Sequence, residues 1–135
     1  MVKSEVLRAA LALAEKIGHI FVATADKKGV PHVAAAGKLS SAKARQVAVE
    51  AWFCTGTVSN VHQNKHIALV VWDPANDVGY QILGKVEKIM ELAVLDGYAP
   101  EVEKDSPLPQ VERQLVVRVE RVLSFTHAPH SDVEE

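Results

Sequence analysis

The chain has 135 residues, of which 48% are hydrophobic and 24% charged, and its formal net charge is −2. This length and composition predict one ordinary globular domain over residues 1–135. The small net charge gives no electrostatic basis for binding nucleic acid or an anionic membrane, and neither is predicted as a partner.

Three features of the sequence predict a cytoplasmic protein. Cys54 is the only cysteine, so no disulfide can form within the chain. Charged side chains interrupt residues 1–18, which therefore lack the unbroken apolar core of a signal peptide. No segment approaches the roughly 20 apolar residues that a membrane-spanning helix requires.

The first predicted element is a helix over residues 3–17. Apolar residues recur along this stretch at helical spacing. Ser4 is a suitable N-cap, and Gly18 is a natural stop because glycine readily adopts the left-handed conformation that ends helices.

Six strands are predicted after this helix, from alternating or continuous apolar residues bounded by turn residues. They span residues 20–24, 30–36, 46–53, 67–72, 78–90 and 112–126. The nearly continuous apolar run at 67–72 is typical of a central strand covered on both faces. Within the long fifth strand, Gly84 indicates a bend or a bulge.

The segments between the strands are predicted as turns, loops and short helices. Loops are expected at 26–29, 39–44, 73–77 and 99–109, short helices at 58–64 and 91–98, and a frayed tail from residue 127 onward. Six largely antiparallel strands in so short a chain favour closure into a small barrel, which removes exposed edges.

The order of these elements and four local patterns resemble one known family. The patterns are ATADxxGxPHV at 23–33, FxTGTxxNVxxN at 53–64, IALVV at 67–71 and GYQIxGxVE at 79–87. Together they resemble the FMN-binding split-barrel family related to pyridoxamine 5′-phosphate oxidase, over about residues 18–90. The resemblance implies a mainly β fold: a six-stranded antiparallel split β-barrel of Greek-key type, with an N-terminal helix and one or two short helices.

The resemblance also implies a homodimer with two FMN sites at the subunit interface. It further implies a redox role, that of a flavin-dependent oxidoreductase with a small-molecule redox partner. In relatives, the segment matching 55–60 touches the flavin phosphate and the segment matching 35–38 lies along the ribityl chain and ring. The residues so implied in cofactor binding are Ala36, Gly37, Lys38, Thr55, Gly56, Thr57, Ser59, Asn60, Tyr80 and Gln81. No catalytic residue is assigned, because the flavin itself carries the redox chemistry.

Residues 55–60 have two readings. Their hydroxyl and amide groups, with the N-terminus of a short helix, suit a phosphate, which accepts hydrogen bonds and is favoured by the helix dipole. The same residue types also occur in turns and helix caps for purely local reasons. Both readings remain open at the level of sequence.

The chain departs from the family pattern in its cations. Many relatives carry Arg or Lys at the position of Gly56 or Thr57, where it makes a charge-assisted bond to phosphate. The candidate replacements are Lys38, or Lys43 and Arg45 if their loop folds back. The residues that hold the substrate phosphate in pyridoxamine 5′-phosphate oxidase have no match, so that specific activity is not expected.

No metal site is predicted from the histidines. His62 and His66 are four residues apart, but the predicted helix ends between them and no third ligand is evident. His127 and His130 fall in the tail.

The remaining reactive or aromatic side chains are expected to serve packing or solvation. Cys54 is predicted to be a small core residue, since no basic partner is near it in sequence. Trp72 is predicted to pack within its apolar run, and Trp52 to face a partner subunit. The carboxylates expected on the solvated surface are Asp73, Asp77 and Glu87.

Two other functions remain open beside an FMN-dependent oxidoreductase. The same fold binds F420 or haem in some relatives, and the missing phosphate cations leave room for either. A non-enzymatic flavin carrier or storage dimer is the other alternative, because a fold does not fix a function.

Overall fold

The computed structural model describes residues 2–53, 55–95 and 110–135. This part of the chain contains two helices and nine strands. They are α1 (Ser4–Ile17), β1 (Ile20–Ala25), β2 (Pro31–Ala36), β3 (Lys38–Ser41), β4 (Gln46–Phe53), α2 (Thr55–Gln63), β5 (His66–Asp73), β6 (Val78–Leu95), β7 (Gln110–Ser124), β8 (Thr126–His127) and β9 (His130–Ser131). The predictions for Cys54 and for residues 96–109 lie outside the described residues.

Helix α1 agrees with its prediction except at the cap. Ser4 is the first helical residue and Lys3 occupies the N-cap position without a side-chain hydrogen bond, so the prediction of Ser4 as N-cap is wrong. Gly18 ends the helix with φ 87°, and its N–H donates to the Ala14 carbonyl at 2.9 Å. Ala10 and Ala14 bury the face of α1 that packs on β3 and β5. No helix among the described residues has the length and apolar character to cross a membrane.

Seven antiparallel strands form the main sheet, in the order β2-β1-β5-β6-β7-β4-β3. The predicted number was six, and the difference is β3, which was predicted as part of a loop. Its serines and lysine suggest a loop, but Lys38 to Ser41 pair with Glu50 to Val47 of β4, and Leu39 is buried. Pairing with a neighbouring strand overrides the weak strand propensity of a short polar segment.

The sheet curls into a split barrel because its two edges are consecutive in the chain. Strands β2 and β3 lie at opposite ends of the sheet order, yet Gly37 alone joins them. Curling brings β2 close to β4. The gap between β2 and β4, called the seam below, has no hydrogen-bonded ladder among the described residues. The predicted mainly β, split-barrel fold is confirmed.

The core lies on the inner faces of the strands and under α1. Its largest fully buried side chains are Ile20, Leu69, Ile82, Leu115, Val22, Val47, Val49, Val61, Val117, Val122 and Thr57. Strand β5 is central, but its residues alternate between buried and half-buried. Strand β5 was predicted to be covered on both faces. This prediction is wrong for its outer face, which the described residues cover only in part.

Strand β6 runs five residues beyond its predicted end. A helix was predicted from residue 91, but residues 91–95 continue the ladder, with Glu91 opposite Arg113 and Leu95 opposite Gln110. The helix-favouring composition there is overridden by pairing with β7. The predicted irregularity at Gly84 is confirmed by a register shift between Leu83 and Gly84.

The C-terminal tail is folded, so the prediction of a frayed tail is wrong. Strands β8 and β9 form a small hairpin. The Ser124 N–H donates to the Val133 carbonyl at 2.8 Å, and the Glu135 N–H donates to the Val122 carbonyl at 2.9 Å. These bonds hold the tail against the end of β7. Because they join residues that are not neighbours in the sequence, no local sequence pattern predicts them.

Candidate flavin site

Helix α2 covers one end of the barrel next to the seam. It begins at Thr55, directly after β4, whereas residue 58 was the predicted start. Thr57 and Val61 are one turn apart, share a face and are fully buried. The Thr57 side chain therefore points into the protein, so the hydroxyl that was expected to bind phosphate is buried instead.

One flank of α2 lies against β1 and β2. A Cβ atom added at Gly56 would lie 3.2 Å from Nε2 of His32, so glycine permits this close approach. The Asn60 amide donates to the Thr24 hydroxyl at 3.2 Å. The amide that was expected to bind phosphate therefore fastens the helix to β1.

The other flank of α2 faces β7 across an open recess of about 500 Å³. This α2 recess is lined by Thr55, Val58, Ser59, His62, Gln63 and Arg113. Thr55 and Ser59 are exposed, and the Ser59 hydroxyl accepts a hydrogen bond from the Gln63 amide at 3.1 Å. The recess therefore combines hydroxyl groups, a helix N-terminus and a guanidinium, which together suit an anion.

Arg113 is the residue that the sequence reasoning missed. Its side chain is only 17% exposed, and Nη2 lies 3.2 Å from a Glu91 carboxylate oxygen. By the alternation of β7, Arg113 shares its side of the strand with the buried Leu115 and Val117. A cation at a core-facing position near the start of a strand is the signal that would have found it.

The three cations proposed from sequence lie elsewhere. Lys38 lines a recess of about 590 Å³ beside α1, together with Arg8 and Gly37. Lys43 and Arg45 line another recess at the start of α1. Among the described residues, therefore, none of these three lines the α2 recess.

Two of the three predicted groups of cofactor-binding residues flank the seam. Lys38, just after β2, pairs with Glu50 of β4, and the His32 ring of β2 lies against Gly56 of α2. Ala36 is buried opposite Ile20 in the β1–β2 ladder. The segment around Gly37 and the start of α2 are thus brought to the same part of the molecule.

Tyr80 and Gln81 lie apart from the seam, on opposite faces of β6. Tyr80 packs against the core, whereas Gln81 points to the outside of the sheet. Gln81 lines a groove of about 620 Å³ whose walls include Trp72 and the tail residues His127 and His130. Within one protomer, Tyr80 and Gln81 therefore do not lie with the predicted cofactor-binding residues of α2.

The sheet has an apolar outer face around that groove. Phe21 is 44% exposed and Val33 is 62% exposed, and both point outward from β1 and β2. Trp72 contacts the Phe125 ring edge-on at 6.1 Å, and its indole N–H donates to Asp77 at 2.9 Å. Trp72 therefore packs as predicted, while nothing is described of the Trp52 side chain.

Two of the three carboxylates predicted to be solvated, Asp73 and Asp77, are instead used in the fold. Asp73 is buried, and hydrogen bonds led by the Asn76 side-chain amide at 2.8 Å lower its pKa from the usual 3.8. The backbone N–H of His127 is the main cause of a lowered pKa at Asp77. Glu87 is exposed, as predicted, and accepts a hydrogen bond from Gln46 at 2.7 Å. Asp73 and Asp77 are structural acceptors.

The histidines do not converge. His62 is on α2 and His66 is the first residue of β5, so they do not share one helix. The His127 and His130 rings meet edge-on at 5.1 Å. In the described ranges no three His, Cys, Asp or Glu side chains are arranged to hold a metal ion.

A curled seven-stranded sheet, a seam and a helix covering the barrel end define the split-barrel class of proteins. The family model described as pyridoxamine 5′-phosphate oxidase matches residues 7–125, and the chain belongs to that family. The resemblance predicted from sequence is therefore confirmed. No curated protein matches the chain by sequence.

Several solved structures share this fold. HupZ of Group A Streptococcus has a TM-score of 0.67 at 16% identity, covering 98% of this chain and 99% of that one. An FMN-binding protein from Syntrophomonas wolfei has a TM-score of 0.67 at 16% identity, covering 90% of this chain and 87% of that one. A structure named F420 reductase has a TM-score of 0.58 at 21% identity, covering 82% and 93%. At such low sequence identities, the similarity shows a shared fold and no more.

Proposed function

We propose that this chain binds FMN beside the seam and acts, as a homodimer, as a flavin-dependent oxidoreductase. The observation that carries the proposal is the start of α2 at the seam, beside His32 of the strand that leads into Gly37, in a chain whose family match spans residues 7–125. These are the two segments that the resemblance assigns to the phosphate and to the ribityl chain and ring. The similar structure from Syntrophomonas wolfei is named an FMN-binding protein.

The chemistry of the donors fits the anionic end of FMN. The first N–H groups of α2 have no intrahelical acceptor, and the helix dipole favours negative charge there. The Thr55 hydroxyl, at the first residue of the helix, and the Arg113 guanidinium line the same recess. Bound FMN would supply the hydride or electron transfer, while the chain would hold its phosphate and orient its ring.

The outer apolar face supports a second copy of this chain as partner. Contiguous exposed apolar residues on a sheet, such as Phe21 and Val33, are typical of an interaction surface. A twofold mate covering this face would bring its own Gln81 toward the interface, whereas Tyr80 stays packed against the core. The proposed assembly is a cytoplasmic dimer with a small-molecule redox partner, and its substrate class stays open.

The test is the visible spectrum of the purified protein, before and after addition of FMN, with mass analysis of any released cofactor. We expect flavin absorbance, one FMN per chain and a dimeric mass by light scattering. Turnover of reduced nicotinamide with an electron acceptor supports an oxidoreductase, whereas bound flavin without turnover supports a carrier. Protein that stays colourless with excess FMN refutes the proposal.

F420 is the second candidate cofactor. It is favoured by the similarity to the structure named F420 reductase and by the absence of Arg or Lys at positions 56 and 57. Parallel titrations with FMN, F420 and haem distinguish the three ligands. If F420 binds more tightly than FMN, F420 replaces FMN as the proposed cofactor, and the proposed site stays the same.

A further inference from the structure

The α2 recess contains a cation that comes from a different strand than the family pattern predicts. Arg113 belongs to β7, far along the chain from α2, yet it lines the same recess as Thr55 and Ser59. It is the one Arg or Lys among the described lining residues of that recess. Gly56 and Thr57, where many relatives carry the cation, lie on the adjoining first turn of α2.

We infer that Arg113 is the residue that holds the phosphate of the bound flavin, in place of the cation absent from positions 56 and 57. This inference rests on the proposed function. It assigns the phosphate to the flank of α2 that faces β7, with the Thr55 hydroxyl and the first N–H groups of the helix as further donors.

The guanidinium retains the capacity for this role beside Glu91. Its contact with Glu91 uses Nη2 at 3.2 Å, whereas a guanidinium carries five N–H donors in a planar fork. Glu91 is 63% exposed, so water screens its charge. The Arg113 side chain is only 17% exposed, so its guanidinium is held at the wall of the recess. Binding a phosphate therefore requires little further loss of side-chain conformational entropy.

The rival cation is Lys38, and its surroundings are less suited to a phosphate. Lys38 sits opposite Glu50 in the β3–β4 ladder. Its recess also contains Glu15 of α1, whose carboxylate repels an anion, and no residue of α2. The hydroxyls and helix N-terminus that favour an anion belong to the Arg113 recess.

The experiment measures dissociation constants of FMN and riboflavin for the wild type and for R113Q, R113K, K38Q and R118Q. Riboflavin lacks the phosphate, so it reports the ring and ribityl contacts alone. R118Q, at an exposed position on the same strand, controls for net charge. Urea unfolding of each variant verifies that it is folded.

We expect R113Q to weaken FMN binding roughly ten- to a hundredfold, as loss of a charge-assisted hydrogen bond does, with riboflavin binding within about twofold of wild type. R113K should recover part of the affinity, and R118Q should bind FMN like the wild type. Because Lys38 lies in the segment assigned to the ribityl chain and ring, any loss of affinity in K38Q should be equal for FMN and riboflavin.

Three results would overturn the inference while leaving FMN binding intact. They are wild-type FMN affinity in folded R113Q, equal losses for FMN and riboflavin in R113Q, and a selective FMN loss in K38Q instead. Wild-type protein that binds neither flavin overturns the proposed function, and the inference with it. If R113Q does not fold, R113K is tested by the same criteria. R113K must then bind FMN more weakly than the wild type while its riboflavin affinity stays the same.

Discussion

Two polar regions lie at opposite ends of β7, and they differ in how their polar atoms are used. At the tail end, Asp77 accepts hydrogen bonds at 2.8 Å from the N–H groups of both His127 and Ala128. At the α2 end, Thr55 is exposed and Arg113 has an exposed carboxylate as its partner. The tail region is satisfied internally, whereas the α2 recess presents its donors to the solvent.

The difference separates structural polar residues from candidate ligand-binding ones. Buried or clustered polar groups that bond with one another stabilise a particular fold. Polar groups gathered around an open recess are available for a ligand, as Arg113 is here. Substitutions in the tail region should therefore affect stability, and substitutions around the recess should affect affinity.

The largest expected effect on stability is that of Gly79→Ala, beside the tail. The added Cβ would lie 2.6 Å from the Phe125 carbonyl oxygen and 2.8 Å from the Val71 carbonyl oxygen. Because these are backbone atoms, two strands must shift, and we expect a loss of about 1–3 kcal/mol in the free energy of unfolding. Urea denaturation measures it.

Gly56→Ala is the matched variant on α2. Its Cβ would lie 3.2 Å from the His32 ring, which is a side chain and not a backbone atom. Alanine also favours a helix by about 1 kcal/mol over glycine, which offsets the crowding. Equal destabilisation by the two substitutions would contradict the distinction between the two regions.

The next largest effect is expected from Asp77→Ala, which removes the acceptor of the tail. The N–H groups of His127 and Ala128 and the indole of Trp72 all donate to this carboxylate. We expect the amides of residues 127 and 128 to exchange hydrogen much faster, while FMN affinity stays the same. Asp77→Asn is the control, because asparagine tolerates the left-handed φ of 51° and keeps one acceptor oxygen. Unchanged exchange in Asp77→Ala would refute the role of the carboxylate.

The tail should also loosen in acid. The His127 N–H, first among several causes, holds the pKa of Asp77 below its usual 3.8. A lowered pKa in the folded state means that the contribution is complete above 3.8 and is lost as the pH falls through the lowered value. Amide exchange at residue 127 followed against pH should reveal this step, and Asp77→Asn should abolish it. Opening near pH 6.5 would point to histidine protonation instead.

The smallest expected effect is that of Glu91→Gln in the recess. Removing a carboxylate that competes for Arg113 should tighten FMN binding by about two- to threefold, with riboflavin binding unchanged. Because Glu91 is 63% exposed, the free energy of unfolding should change by less than about 0.5 kcal/mol. Weaker FMN binding in Glu91→Gln would mean that Glu91 orients Arg113 rather than competing with the phosphate.

Local patterns predicted the parts of the fold that local chemistry determines. The helix ending at Gly18, the hairpin around residues 26–29 and the irregularity at Gly84 all follow from backbone preferences and alternation. Strand β3 and residues 91–95 were misread, because their strand structure comes from pairing with β4 and β7 and not from their own propensities.

For the same reason, only part of the candidate site could be predicted from the sequence. The segment around Thr55 could be proposed from the sequence because its residues are adjacent in the chain. Arg113 was missed because the β4–β7 ladder, with Ala51 opposite Arg113, brings it to α2 from a distant part of the sequence. The folding of the tail onto Asp77 likewise joins residues about fifty positions apart, beyond the reach of any local pattern.

A crystal structure of the protein with FMN is the most direct test of the central claim. The account predicts two protomers related by a twofold axis and a flavin phosphate within hydrogen-bond distance of the Arg113 guanidinium and the first turn of α2. A phosphate bound beside Lys38 and α1, or a flavin bound away from the seam, would contradict it.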